Sequence, residues 1–309
     1  MSRRRALSLF RFVLPAVLCN RFRYSSVRWV TLVVLLISFC SFHPHAAWNR
    51  SGTTRLPAPQ SPERLFSPAA YLQVGEELLY RVSYLFIGLG EIRLRVTDRY
   101  HKDGETRYRA EVYIDSYSGN PFVNLHQVYE SEFDTMLYSH HFVGRWQDGD
   151  IWRYVKYDFR YDRDKIFIET GRYDLQTVEK HDTVDINRRY QEGLSLFYFA
   201  RGYVKSGQAA VIPTFINGNK AKTYFDFTDK TTDKEIDSIT YPIDVIEFEG
   251  EADWVGIFGL TGGFRGWFSN DEARVPIVAK MKVIIGSVKV TLQSWKRSGW
   301  RPTQYIEKD

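Results

Sequence analysis

"ELLYRVSYLFIGLGEIRLRVT" spans residues 77–97, and its periodicity decides the fold. Leu78, Tyr80, Val82, Tyr84 and Phe86 fall on every second position, with Arg81 and Ser83 between them. After "IGLG" the alternation resumes. Ile92, Leu94 and Val96 lie on one side, and Glu91, Arg93, Arg95 and Thr97 on the other. A period of two belongs to a strand with one buried and one wet face. Strands joined so closely run antiparallel. Gly88 and Gly90 provide a turn or a bulge between them.

The same pattern extends outward from this stretch. "YRAEVYI" (108–114) follows "DG" at 103–104, a strong hairpin signal. "YESEFDTMLYSHHFVGRW" (129–146) and "IWRYVKYDFRYD" (151–162) flank "QDGD". "RDKIFIETGRYD", "TVEKHDTV", "KTYFDFT" and "YPIDVIEFEG" continue the series. Only residues 187–207 break it. There Tyr190, Leu194, Phe197 and Arg201 recur at helical spacing, predicting one amphipathic helix that ends near Tyr203. The expected class is all-β, mainly antiparallel. It is a strongly curved sheet, barrel-like or two packed sheets, with one amphipathic helix.

The chain has 309 residues, 44% of them hydrophobic, enough for a sizeable core. Its net charge of +5 is set by residues 1–47, which hold seven arginines and no acid. Without those seven, 35 basic residues face 37 acidic ones, a net of −2. The composition therefore gives no nucleic-acid footprint. The uncharged run "WVTLVVLLISFCSF" (29–42) follows arginines, in the order of a secretory signal. At 14 residues it is shorter than the roughly 20 needed for a permanent span.

Residues 1–47 are thus expected to be a signal peptide or an N-terminal membrane anchor. Residues 48–70 read as a flexible linker, 71–300 as one β-rich domain and 301–309 as a tail. The expected location is the periplasm, with inner-membrane attachment if the leader is not cleaved. Contact with the membrane is expected only through this N-terminal segment. Both cysteines, Cys19 and Cys40, lie in the leader, so the body has no disulfide framework and no thiolate chemistry.

Three landmarks stand in order: "GEELLYRVSYLFIGLGEIRL" (75–94), "QEGLSLFYFARG" (191–202) and "GWFSNDEARVPIVAKMKVIIGSVKVTL" (266–292). Together they resemble the bacterial envelope family catalogued as domain of unknown function 3108. One departure is visible, since that family often carries Asp where this chain has Glu192. The resemblance implies a secreted β-rich protein of Gram-negative-type bacteria and implies no established activity.

Catalytic signatures are sparse. The body has no Gly-x-Ser-x-Gly elbow, no P-loop and no His-Glu-x-x-His. His140 and His141 are neighbours on a strand and should point to opposite faces; no metal or cofactor is expected. Glu130, Glu132 and Asp134 share a strand face, which suits either a solvated surface or, with Asp271, the paired acids of a glycan or lipid hydrolase. "SNDEAR" (269–274) reads as a turn held by Ser and Asp. Pro276 marks an edge or a bulge. The aromatic residues offer the main functional hint. The preferred reading is a non-enzymatic module that binds an apolar or amphipathic small ligand or an envelope protein. Trp267, Asp271, Arg274 and Arg201 are its candidate binding residues.

Overall fold

The computed structural model describes residues 68–120, 123–255, 261–283 and 286–307. The expected signal or anchor, and the linker up to residue 67, lie outside the described residues. The described part opens with a four-residue helix, α1 (Pro68–Tyr71). Eight strands follow: β1 (Glu77–Tyr84), β2 (Ile87–Lys102), β3 (Glu105–Ser116), β4 (His126–Asp134), β5 (Ser139–Asp148), β6 (Ile151–Arg160), β7 (Lys165–Arg172) and β8 (Thr177–Asp185). Helix α2 (Gly193–Tyr203) interrupts the series. The chain then adds β9 (Ala209–Ile216), β10 (Asn219–Lys234), β11 (Ile243–Val255), β12 (Thr261–Ser269), β13 (Pro276–Lys282) and β14 (Ser287–Lys296).

All 14 strands form one antiparallel sheet, ordered β8-β7-β6-β5-β4-β3-β2-β1-β14-β13-β12-β11-β10-β9. Each half is a meander, and the first and last strands join the halves. Val82 pairs with Val290 and Arg81 with Thr291 across that seam. The sheet does not close, because β8 and β9 remain its edges. The connection before α2 spans part of the gap. Gln191 pairs in parallel with Thr214 of β9, and Ser139 N donates to Tyr190 O at 3.1 Å.

The sheet curls around α2. Tyr198 packs on Phe133 of β4, with ring centroids 5.3 Å apart. Phe199 packs on Phe225 of β10 at 5.8 Å. Those strands are eight places apart in the sheet, about 38 Å if it were flat. One helix reaches both only if the sheet wraps round it. Leu78, Tyr80, Val82, Val96, Tyr108, Ala110 and Phe227 line the enclosed face, all 3% exposed or less.

Local chemistry explains the corners. Asp103–Gly104 turns β2 into β3 with both residues at positive φ, as a two-residue type I′ turn requires. "IGLG" is not the β1–β2 turn. Leu85 and Phe86 make it, 70% and 88% exposed. The glycines lie in β2, where the register slips between Val82–Gly90 and Ser83–Gly88. A side chain at Gly90 would come within 2.2 Å of Asp115 O, so the bulge needs glycine there. The glycine-rich stretch "GLTGGFRG" (259–266) is partly strand. Thr261–Gly266 belongs to β12, and its residues 259–260 lie outside the described residues. Pro276 sits at a bulge, where Trp267 pairs with Val278 but Phe268 with Pro276.

Candidate functional site

Arg201 is completely buried, at 0% exposure. Helix α2 projects it toward the segment before β1. Its Nη1 donates to Glu76 Oε1 at 2.5 Å and its Nη2 to Glu76 Oε2 at 2.8 Å. Nε and Nη2 donate to Ala273 O at 3.0 and 2.9 Å, and Nη2 also reaches Tyr71 O at 3.1 Å. Arg297, just after β14, donates to Tyr71 O at 3.0 Å and also bonds Glu76 Oε2. Burial works to raise the Glu76 carboxyl. The charges and hydrogen bonds of Arg201 and Arg297 outweigh it and hold the group below the ordinary carboxylate range.

Arg274 belongs to the same region. Its backbone is left-handed, with φ 48°, and its side chain turns inward. Nη1 donates to Gly202 O at the end of α2 at 2.6 Å. The guanidinium lies 5.5 Å from the Tyr71 ring centroid, and only 7% of the residue is exposed. Asp271 builds the turn that presents it. Its Oδ1 accepts from Ser269 Oγ, Ala273 N and Arg274 N at 2.9–3.0 Å, and its Oδ2 from Trp300 Nε1 at 2.9 Å. Ser269 Oγ accepts from Val275 N at 2.8 Å.

Arg201, Arg274 and the Asp271 turn therefore come together, while Trp267 stands apart. Its neighbour Phe268 packs inside on Phe248 at 5.0 Å, so Trp267 faces outward. Trp267 Nε1 donates to Glu247 Oε2 at 2.7 Å. Lys234 Nζ lies 4.6 Å from its ring centroid.

At the other end of α2, Glu192 is the N-cap. Its Oε2 accepts from Leu194 N at 2.7 Å and its Oε1 from Ser195 N at 2.8 Å. Ser131 of β4 donates to Oε1 at 2.5 Å, which ties the helix start to the sheet. Burial pushes this carboxyl up, even against those donors.

The carboxylates of β4 share one face, as expected, and each meets a guanidinium. Glu130 pairs with Arg145, Glu132 with Arg107 at 2.7 Å, and Asp134 with Arg189 at 2.9 Å. Asp271 lies in the β12–β13 turn and joins none of them.

Beside Glu130 the outer face of β3–β7 holds an open groove of about 430 Å³, lined by Tyr113, Val128, Arg145, Trp152, Tyr173 and Asp174. Strand alternation brings these side chains together, because Val128 pairs with Arg145 and Tyr113 with Val128. Trp152 follows the turn after β5, and Tyr173 the end of β7. Arg145 Nη1 donates to Tyr173 OH at 3.1 Å, and its guanidinium carbon lies 5.0 Å from that ring centroid. Arg145 Nε is buried and has no hydrogen-bond partner among the described residues. Alternation divides the aromatic residues of the β5–β6 hairpin. Trp152 faces the groove, while Tyr157 faces inward and packs on Phe215 at 5.1 Å.

The described residues contain no helix long and apolar enough to cross a membrane. No curated protein matches the sequence. Among solved structures, the chain is similar to a β-barrel-like protein of domain of unknown function DUF1849 from Brucella abortus. They share 14% identity with a TM-score of 0.41, covering 73% of this chain and 98% of that one. It is also similar to a candidate exported protein with a YmcC-like fold from Bacteroides fragilis. Here the identity is 9% and the TM-score 0.32, covering 75% of this chain and 99% of that one. The family described as protein of unknown function (DUF3108) matches residues 79–293, from within β1 to within β14. With more than two thirds of its length matched, the chain belongs to the DUF3108 family.

Proposed function

We propose that this protein is an exported envelope binding module whose ligand occupies the outer-face groove. The ligand class is amphipathic. An apolar portion lies against Trp152, Tyr113 and Val128, and an anionic or hydroxylated head meets Arg145. The groove carries this reading: Arg145, held by Glu130 and Tyr173 and with an Nε that has no hydrogen-bond partner among the described residues, sits among aromatic rings on the sheet. Two further points support it. The leader has the order of an export signal. The enclosed face beside α2 is filled by its own side chains, such as Tyr108, Phe133 and Tyr198, which leaves the outer face for binding. A glycan or lipid hydrolase is less well supported, because Glu130, Glu132 and Asp271 are engaged with separate partners.

Native mass spectrometry of protein purified from its host tests the proposal. The wild type is expected to carry an adduct, and Trp152→Ala and Arg145→Gln are each expected to lose it. A bare wild-type mass, or an adduct retained by both variants, overturns the reading.

A further inference from the structure

Three ligating side chains meet where β3 begins, β4 ends and β5 begins. Glu105 directly follows the Asp103–Gly104 turn, Asp134 is the last residue of β4, and His140 is the second residue of β5. One ligand atom from each lies within 4.8 Å of the other two. His140 Nε2 is 3.1 Å from Asp134 Oδ2 and 3.6 Å from Glu105 Oε2. Ligands held at about 2.0–2.1 Å by a tetrahedral zinc ion stand roughly 3.3 Å apart. The two histidine separations bracket that edge length.

The surroundings resemble a built site more than a surface ion pair. His140 is the extra residue of a bulge, since Glu132 pairs with His141 and Phe133 with Ser139. Bulges re-aim side chains in this way. His141, by contrast, turns to Asp158, with Nδ1 2.6 Å from Oδ1. Asp134 Oδ1 accepts from Met136 N at 2.8 Å and Tyr138 N at 3.1 Å. Those bonds fix the carboxylate with Oδ2 toward His140, the supporting role that outer-shell groups play at metal sites. The side chains of Asp134 and His140 are 5% and 11% exposed, while Glu105, at 42%, opens to solvent.

Arg189 supplies the nearby positive charge. Its Nη1 donates to Asp134 Oδ2 at 2.9 Å, and its Nη2 lies 3.8 Å from Glu105 Oε1. It comes from the connection between β8 and α2, and 41% of its side chain is exposed. It can therefore swing out without disturbing a strand.

We infer that Glu105, Asp134 and His140 form a three-ligand site for a divalent transition metal of the zinc class, with Arg189 as the competing cation. One nitrogen and two carboxylate oxygens suit such an ion, and a fourth position remains for water. This site is separate from the groove and stands or falls without it.

The test titrates the untagged full chain, stripped with chelator, with Co²⁺ and Zn²⁺ by visible absorption and calorimetry. The wild type is expected to bind one equivalent more than His140→Ala or Glu105→Gln. Metal held by leader residues is common to all three and cancels in that difference. Removing the competing charge in Arg189→Gln is expected to tighten this equivalent about tenfold. Thermal unfolding of each variant checks its folding, and Glu105, half-exposed, keeps the test open if His140→Ala is unstable. Equal stoichiometry in the wild type and Glu105→Gln overturns the inference. So does weaker binding by Arg189→Gln, or Ca²⁺ displacing Zn²⁺ at equal concentration.

Discussion

Arg201 keeps a full charge where solvent does not reach, and only its acceptors make that tolerable. Glu76 accepts from both Nη atoms, and Ala273 O and Tyr71 O accept from Nε and Nη2. Isolated ions pay a large desolvation penalty, so removing one partner of a buried pair costs about 3–5 kcal/mol. Glu76→Gln leaves Arg201 and Arg297 facing each other across a neutral amide. It is expected to lower the unfolding free energy by about that amount in urea denaturation. The wild type should also lose this contribution in acid. The depressed Glu76 carboxyl stabilises the fold fully above the ordinary carboxyl pKa of about 4.3, and the effect fades as pH falls through its lower folded value. A denaturation midpoint for Glu76→Gln that tracks the wild type through acid pH would contradict this account. The four expected binding residues divide accordingly. Arg201, Arg274 and Asp271 already have partners inside the fold, and Trp267 stands on the other face.

Helix α2 shows how far an element can be read from its own residues. Tyr203 is its last residue, where the spacing placed the end. Gly193 is its first residue, where glycine costs the helix less than in its interior. The N-cap fell to Glu192, whose two oxygens reach both Leu194 N and Ser195 N. Because burial raises this carboxyl, its contribution is present below the ordinary glutamate pKa and is lost as pH rises through the folded value. Glu192→Gln is therefore expected to be less stable than wild type near pH 4, with the gap narrowing toward neutrality. Paired urea titrations across that range decide it, and a gap that widens with pH would refute it. Strands were similarly legible where they alternate or end in "DG". Strand β9 was missed, although Asn217–Gly218 announces its hairpin with β10 and has positive φ at both residues. The Arg201–Glu76 bond joins residues 125 apart in sequence, and Glu105, Asp134 and His140 come from three strands. No local spacing encodes such meetings. They follow from sheet order, which alternation alone leaves open.

At the scale of the molecule, the sheet is strongest near its middle and weakest at its edges. β1 and β14 are buried between neighbours, with Leu78, Val82 and Leu292 at 1% exposure or less. Almost every residue of β8 is exposed on both faces, and its other edge carries no partner strand among the described residues. Glu179, Lys180 and Asp182 keep that edge from recruiting another strand. Amide hydrogen exchange is expected to be slowest in β1, β2 and β14 and to quicken stepwise toward β8. Protection in β8 equal to that in β1 would sink this ordering. Joining the first strand to the last also sets a timetable. As the chain emerges with its N-terminal part first, Glu77–Tyr84 has a neighbour on one side only. Its other flank waits until Ser287–Lys296 emerges, more than two hundred residues later. For most of its emergence the chain thus displays an apolar, unsatisfied strand at what will become its centre. That interval, more than the finished protein, is when a chaperone has most to protect.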